Sequence, residues 1–261
     1  MIEMPLQDIY DGMLRLLWPL FRIAGLIALA PGLGDQPIPM RVKAGLALVC
    51  AVVLAPVLAP VPAVIPGSYA SLKMAASEIL IGMALGLCMR LVFMAFIMAG
   101  EFVGLQMGLA FASFFDPGSG ANTAVTSRLI NLVALLLFFT VNGHLVMLGS
   151  LLHSYSTLPL GHALDPNGWG ELLDWSSQLW VSGMLLALPL IIVLLTINLS
   201  LGILNRTAQQ LSVFAVGFPI TLTTGITILA IVLPRSSGFM QNLFNQGYEA
   251  MARVLGRLAG L

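Results

Sequence analysis

The side chains able to do chemistry are few in this chain and scattered. His144, His153 and His162 are the only histidines. On one helix His144 and His153 would point about 180° apart at roughly 100° per residue, and Pro159 and Gly161 break the register before His162. They read as separate polar or interfacial residues, not as a metal set. Asp8/Asp11 and Glu171/Asp174 are carboxylates three apart, but they lie in polar segments, where solvated faces are a simpler reading than general acid–base work. Cys50 and Cys88 sit far apart in apolar stretches without ligand spacing and read as small buried hydrophobes. Neither lysine, Lys43 or Lys73, follows a glycine phosphate loop, and zinc-protease and nucleophile-elbow motifs are missing. The chain reads as one without enzymatic machinery, calling for no cofactor and no metal.

Ionisable residues inside apolar stretches carry the opposite default. A charge at mid-membrane costs about 2.5–3.5 kcal/mol on insertion scales, so it has a task or a partner. Arg22 and Arg90 are the clearest, with Glu78 and Glu101 at helix ends. Arg90 and Glu101, eleven residues apart, share a helix face within about 20° but are separated by about 16 Å along the axis. They cannot pair within one helix. The set reads as a proton relay or substrate site, or as charges paired between helices of an assembly. The shortage of further acids at that depth favours pairing.

The most unusual segment is 105–125. It begins apolar, presents Phe111, Phe114 and Phe115, then collapses into Asp116-Pro117-Gly118-Ser119-Gly120. Proline restricts the residue before it and the glycines admit positive φ, so Asp116 to Gly120 cannot form a regular helix. A loop with three phenylalanines at membrane depth suits a hydrophobic obstruction. The plainer reading, favoured on residues alone, is an ordinary connection whose aromatics pack on neighbours.

The elements that position these residues follow from composition. The chain has 261 residues, 59% hydrophobic and 8% charged, against about 25% charged in a soluble domain. It cannot cover its own surface with polar groups and needs lipid or apolar partners as solvent. Eleven bases balance eleven acids, which leaves no basic surface for nucleic acid. Six apolar stretches, near 13–30, 44–65, 79–100, 129–152, 179–204 and 213–233, approach the ~20 residues of a membrane-crossing helix. Period-2 alternation is absent, so helices are expected over a barrel. The acidic N-terminus lacks the pattern of a cleaved signal, and the first stretch is expected to be retained.

Pro19, Pro56, Pro60, Pro62, Pro189 and Pro219 interrupt the apolar runs, and breaks there need neighbouring helices to satisfy the freed carbonyls. Gly82 and Gly86, then Gly100, Gly104 and Gly108, form small-residue ridges that let backbones approach. Dense packing is predicted. Charge orients the chain poorly; the acidic connection 153–178, without Lys or Arg, is placed outside. From Ser236 the pattern changes. Met240, Leu243, Phe244, Met251, Val254, Leu255 and Leu258 recur at helical spacing, with Glu249 and Arg253 an i,i+4 pair opposite. This predicts an amphipathic helix lying on membrane or on a partner. The expected class is an all-α membrane protein of about six broken hydrophobic helices arranged as hairpins, plus that C-terminal helix.

Several runs together resemble a known family: Pro39 to Ala47, Glu78-Ile-Leu-Ile-Gly82 through Ala99-Gly100, Gly104 to Gly120, Asn142-Gly-His144, and Asn205 to Pro219. In that order, over essentially the whole chain, they resemble the FliR family of flagellar biosynthetic proteins, subunits of type III export gates. One departure is Gln209, where the family's Ala-Pro-Gln expects proline. The resemblance implies a core part of the flagellar export gate, in the bacterial inner membrane at the basal body. It implies FliP-like and FliQ-like partner subunits, association with FlhB-like and FlhA-like proteins, and transient contact with unfolded export substrates. It implies a FliP-like part, 1–178, fused to a FliQ-like hairpin and C-terminal helix, 179–261, with Asn205, Arg206 and Gln210 at the hairpin tip. It also implies a core standing partly above the membrane plane, which puts six simple spans in question. The family's plug corresponds to 106–123. Phe111, Phe114 and Phe115 thereby become closure residues, and Asp116, Pro117, Gly118 and Gly120 belong to the loop that moves. The alternatives are a small-solute secondary transporter, favoured by broken helices but not by the shortage of acids, and the homologous subunit of a virulence-type injectisome.

Overall fold

The computed structural model describes residues 6–35, 37–56, 58, 64, 67–109, 125–207 and 213–261. Among these there are eight helices and no strand: α1 (Leu6–Leu29), α2 (Met40–Leu54), α3 (Tyr69–Gln106), α4 (Val125–Thr140), α5 (Gly143–Thr157), α6 (Gly168–Thr207), α7 (Val213–Arg235) and α8 (Ser237–Leu258). The chain is an all-helical protein with apolar spans. Four helices are long and apolar enough to cross a membrane, or five if the bent pair α4 and α5 is one span.

The helices differ from the sequence expectation in ways that have local causes. The stretch at 44–65 yields α2, only 15 residues, which ends just before Pro56; at about 22 Å it is shorter than a ~30 Å hydrocarbon core. By contrast α1, α6 and α7 run straight through Pro19, Pro189 and Pro219. A proline in a membrane-spanning helix is tolerated where neighbouring helices, hydroxyl side chains or local adjustments re-satisfy the freed carbonyl. The sharp bend, 67°, falls instead between α4 and α5. There Asn142 adopts a left-handed φ of 55° and Gly143 follows it, a pair suited to leaving one helix and starting another. The acidic connection is also shorter than predicted. Helix α5 continues to Thr157 and α6 begins at Gly168, so Glu171 and Asp174 lie on α6.

Two compact units emerge, each assembled from separated segments. The first comprises Met1–Leu91, Asn142–Ser176 and Asn245–Leu261. Within it α2 packs against α1 and buries Ala47 and Ala51. Helices α1 and α3 meet backbone to backbone. A Cβ at Gly82 would collide with the Arg22 carbonyl, one at Gly86 would stand 2.7 Å from Leu26 O, and Gly25 on α1 faces Ile79 and Met83 in the same way. Trp175 Nε1 donates to Cys88 O at 3.1 Å, pinning the start of α6 to α3.

The second unit comprises Val92–Val141 and Ser177–Phe244. Its centre is an aromatic cluster: Phe93, Phe96, Phe138 and Phe244, with ring centroids 5.5 to 5.8 Å apart and mostly edge to face. Such pairs contribute about 0.5–1.5 kcal/mol each beyond area burial. Gly100 lies so close to Ser127 that no side chain fits between α3 and α4.

The amphipathic C-terminal helix is present as α8, but its apolar face lies on its own chain and not on lipid or a partner. Met240, Leu243, Phe244, Ala250, Met251, Val254, Leu255 and Leu258 are all buried. Leu258 packs on Gly168, its carbonyl accepts from Asp165 N–H at 3.0 Å, and Arg253 is held by Glu171 at 2.7 Å. Glu249, the i,i+4 partner expected from spacing, is the more distant of the two at 4.0 Å.

Candidate functional site

Two polar constellations stand out in an otherwise apolar molecule, one in each unit. The first is built on Arg22 and Glu78, which are 56 residues apart in sequence. Arg22 projects from the middle of α1 and Glu78 from α3, in the part of each helix where the glycine contacts bring the backbones together. Arg22 Nε donates to Glu78 Oε2 at 2.6 Å, with the two side chains 0% and 1% exposed. Its Nη1 donates to Ser154 Oγ and its Nη2 to Leu158 O, both at 2.9 Å. The guanidinium carbon lies 4.3 Å from the centroid of the Tyr155 ring, and Tyr155 OH donates to Pro19 O at 3.2 Å.

Each guanidinium nitrogen of Arg22 therefore has an acceptor and one face has a π-surface. A buried ion pair is tolerated when the geometry is close and the remaining donors are met. Such a cluster locks α1, α3 and α5 together. Among the described residues, Arg22 and Glu78 pair with each other across α1 and α3.

The other two charges behave differently. Arg90 is half-buried on α3 and, among the described residues, has neither an ion pair nor a hydrogen bond. Glu101, also half-buried, accepts from Ser127 Oγ at 2.9 Å. Arg90 and Glu101 do not meet, as their spacing required.

The second constellation surrounds the carboxyl end of α3 and the start of α4. Asn198 on α6 and Thr221 on α7 reach the carbonyls of Gln106 and Met107. Thr126 Oγ1 on α4 donates to Gly100 O at 2.8 Å, beside the Ser127–Glu101 bond. Both ends of the stretch between α3 and α4 are thus attached to the same two turns of α3.

The remaining predicted residues are placed as follows. Gly82, Gly86 and Gly100 lie at close helix contacts, and Gly104 is buried. Gly108 does not extend that ridge: α3 ends at Gln106, and Gly108, with φ 79°, belongs to the turn that caps it. Asn205 and Arg206 fall in the last turn of α6, with Arg206 exposed. Gln210, Phe111, Phe114, Phe115, Asp116, Pro117, Gly118 and Gly120 lie outside the described residues. Among the described residues no group of three or more His, Cys, Asp or Glu could hold a metal ion.

Ser154, Tyr155, Asn198 and Thr221 were not singled out by the sequence reading. Their signal was present, since a polar side chain within an apolar helix needs a partner. That rule names the need and not the partner.

Comparison with known proteins bears on all of this. A family model described as bacterial export proteins, family 1, matches residues 13–247. The chain is 45% identical over 242 residues to the flagellar biosynthetic protein FliR of Escherichia coli (strain K12), covering 92% of each chain. It is 43% identical over 253 residues to the FliR of Pectobacterium carotovorum subsp. carotovorum, covering 97% of each. It is 30% identical over 243 residues to the FliR of Aquifex aeolicus (strain VF5), covering 92% of this chain and 93% of that one. With a match over most of its length and these identities, the chain belongs to the FliR family of bacterial export proteins.

Proposed function

We propose that the chain is a structural and gating subunit of the flagellar type III protein export channel, helping to form and seal the conduit for unfolded substrates in the inner membrane at the basal body. Its partners in this reading are FliP-like and FliQ-like subunits, FlhB-like and FlhA-like export proteins, and membrane lipid. The first 178 residues act as the FliP-like part and 179–261 as the FliQ-like hairpin with its C-terminal helix, Asn205, Arg206 and Gln210 marking the hairpin tip. The chain does no covalent chemistry.

The observation that carries the sealing role is the double attachment at α3. The chain leaves α3 at Gln106, and Thr126 and Ser127 at the start of α4 bond back to Gly100 and Glu101. The two described flanks of the 106–123 region are therefore held at one place on α3. In this reading Phe111, Phe114 and Phe115 supply a hydrophobic closure that excludes water. Arg90, charged and unpaired among the described residues, is read as a contact to a neighbouring subunit.

Deleting residues 106–123 tests the reading in cells. The expected result is that small solutes and ions leak through the export gate while the other subunits still assemble. Native permeability in an assembled deletion variant would end the sealing role. Mild-detergent purification tests the structural role, for which co-purification with several small hydrophobic subunits is expected.

A further inference from the structure

Helix α2 meets its own chain over a narrow strip and leaves most of its circumference open. Ala47 and Ala51 are its buried residues, against α1. Val42, Leu46, Leu48, Val49, Val52 and Val53 are all exposed, as are Ala44 and Gly45 between them. At about 100° per residue these positions sweep an arc of about 200°. The arc holds no polar side chain. Water is a poor cover for so much contiguous apolar surface. A packed helix takes a stripe of about 100°, half of what is offered. Helix contacts in this unit also run through small residues: Gly25, Gly82 and Gly86 between α1 and α3, Ala47 and Ala51 between α2 and α1. The open arc has no small pair four apart, since Ala44 and Gly45 are followed there by Leu48 and Val49. Acyl chains need no such ridge and wrap whatever arc is presented.

One end of the arc is basic. Arg41 lies in the first turn of α2, in line with Gly45, Leu48 and Val52, and is exposed. Among the described residues it has neither an ion pair nor a hydrogen bond. Lys43 Nζ donates to Gly34 O at 2.7 Å, which uses one of its three donors. Asp35, the carboxylate in the connection before α2, pairs with neither base among the described residues. Basic side chains at the edge of an apolar surface extend to the head-group level. There phosphate supplies the acceptors they lack.

We propose that the open arc of α2 is a lipid-facing surface bathed in acyl chains, with Arg41 and Lys43 holding the phosphate of an anionic phospholipid at its basic end. With 15 residues, about 22 Å, α2 enters the hydrocarbon from that edge without crossing it. The inference rests on the membrane placement in the reading above and is independent of the sealing role.

The test uses the export core, isolated with its partner subunits and placed in vesicles of phosphatidylethanolamine and phosphatidylglycerol. In a Cys50→Ala, Cys88→Ala background, Leu46→Cys and Leu48→Cys are spin-labelled one at a time. These positions lie about 160° apart around α2, so no single docked helix covers both. Each label is expected to be mobile and to collide several-fold more with oxygen, which dissolves in acyl chains, than with a water-soluble nickel chelate. Labels that are immobile and reached by neither would overturn the proposal in favour of a protein partner, and labels reached mainly by nickel would overturn it in favour of water. The head-group contact is read with a bimane at Leu48→Cys, quenched by brominated phosphatidylglycerol or brominated phosphatidylcholine. A preference of about fivefold for the anionic lipid is expected, the factor for one basic residue at an anionic surface. It should persist in Arg41→Lys and fall to near unity in Arg41→Gln; equal quenching by both lipids in the native core would overturn the phosphate contact. Solute tightness, which the sealing role governs, is expected to stay native in Arg41→Gln. A core that never enters the vesicles sinks the membrane placement and this contact together, whereas one that enters with both labels covered sinks the lipid contact alone.

Discussion

Helices α3 and α6 are alike in what hydropathy measures and opposite in what surrounds them. They run 38 and 40 residues, and their apolar spans average 2.2 and 2.5 on the same scale. Yet 61% of the α3 span is buried inside the chain against 22% of the α6 span. The cause lies in side-chain size and placement. Gly82 and Gly86 let the backbone of α1 come against α3, and Gly100 does the same for α4. On α6, Leu185, Leu188, Ile192, Leu195, Leu199 and Ile203 recur three and four apart, and all are exposed. That is a continuous apolar stripe about five turns long. Hydropathy reports that a surface will leave water; it does not say whether its own chain, a neighbouring subunit or lipid takes it. More of α3 is covered by its own chain, and α6 leaves an apolar stripe exposed.

That contrast breaks if the supports of α3 prove dispensable. The largest effect is expected from Glu78→Leu, which strands the Arg22 guanidinium among Ser154, Tyr155 and Leu158. Removing one partner of a buried pair costs about 3–5 kcal/mol, to be read as lost thermal stability of the purified chain in detergent. Arg22→Met added to Glu78→Leu should recover much of the loss, because the uncompensated charge has gone. A double variant as unstable as the single one would mean that the helix crossing itself, not the charge, is at stake.

Next comes Gly82→Val. Its branched side chain would meet the Arg22 carbonyl and the Leu26 amide, neither of which can turn aside, and overpacking of this kind costs about 1–3 kcal/mol. The same assay reads it.

On α6 the expectation is reversed. Leu195→Gln with Leu199→Gln should leave the chain's own stability within about 0.5 kcal/mol, as for surface sites. It should nevertheless reduce the partner subunits recovered in pull-down. A matched fall in stability would show that α6 is covered by its own chain after all.

The smallest effect is expected at Arg253→Ala. Arg253 is 44% exposed and pairs with Glu171 at 2.7 Å, so solvent screening limits the loss to about 0.2–1 kcal/mol. The difference between native and variant should shrink as salt is raised.

Much of this was readable from residue types and spacing. The helical class, the need for close packing at Gly82, Gly86 and Gly100, and the apolar face of α8 all follow from short-range periodicity. The prolines misled, since helix breaking is only a local propensity, and α1, α6 and α7 continue through Pro19, Pro189 and Pro219. The bend at Asn142 went unread because the apolar character of residues 129–152 continues across it; only the backbone φ marks the turn. At α8 the amphipathic pattern was correct, but the pattern is the same whether the apolar face meets lipid, a partner or its own chain.

By itself the sequence determined that this chain leaves water as helices, because so few charges cannot solvate so much apolar surface and helices meet their own backbone donors. The tertiary structure alone decided which charge meets which, and which helix end is sealed by which side chain. Arg22, Glu78 and Ser154, or Met107 and Thr221, come together only through the angles at which separate helices cross. Periodicity relates residues within one helix and carries no information about those angles.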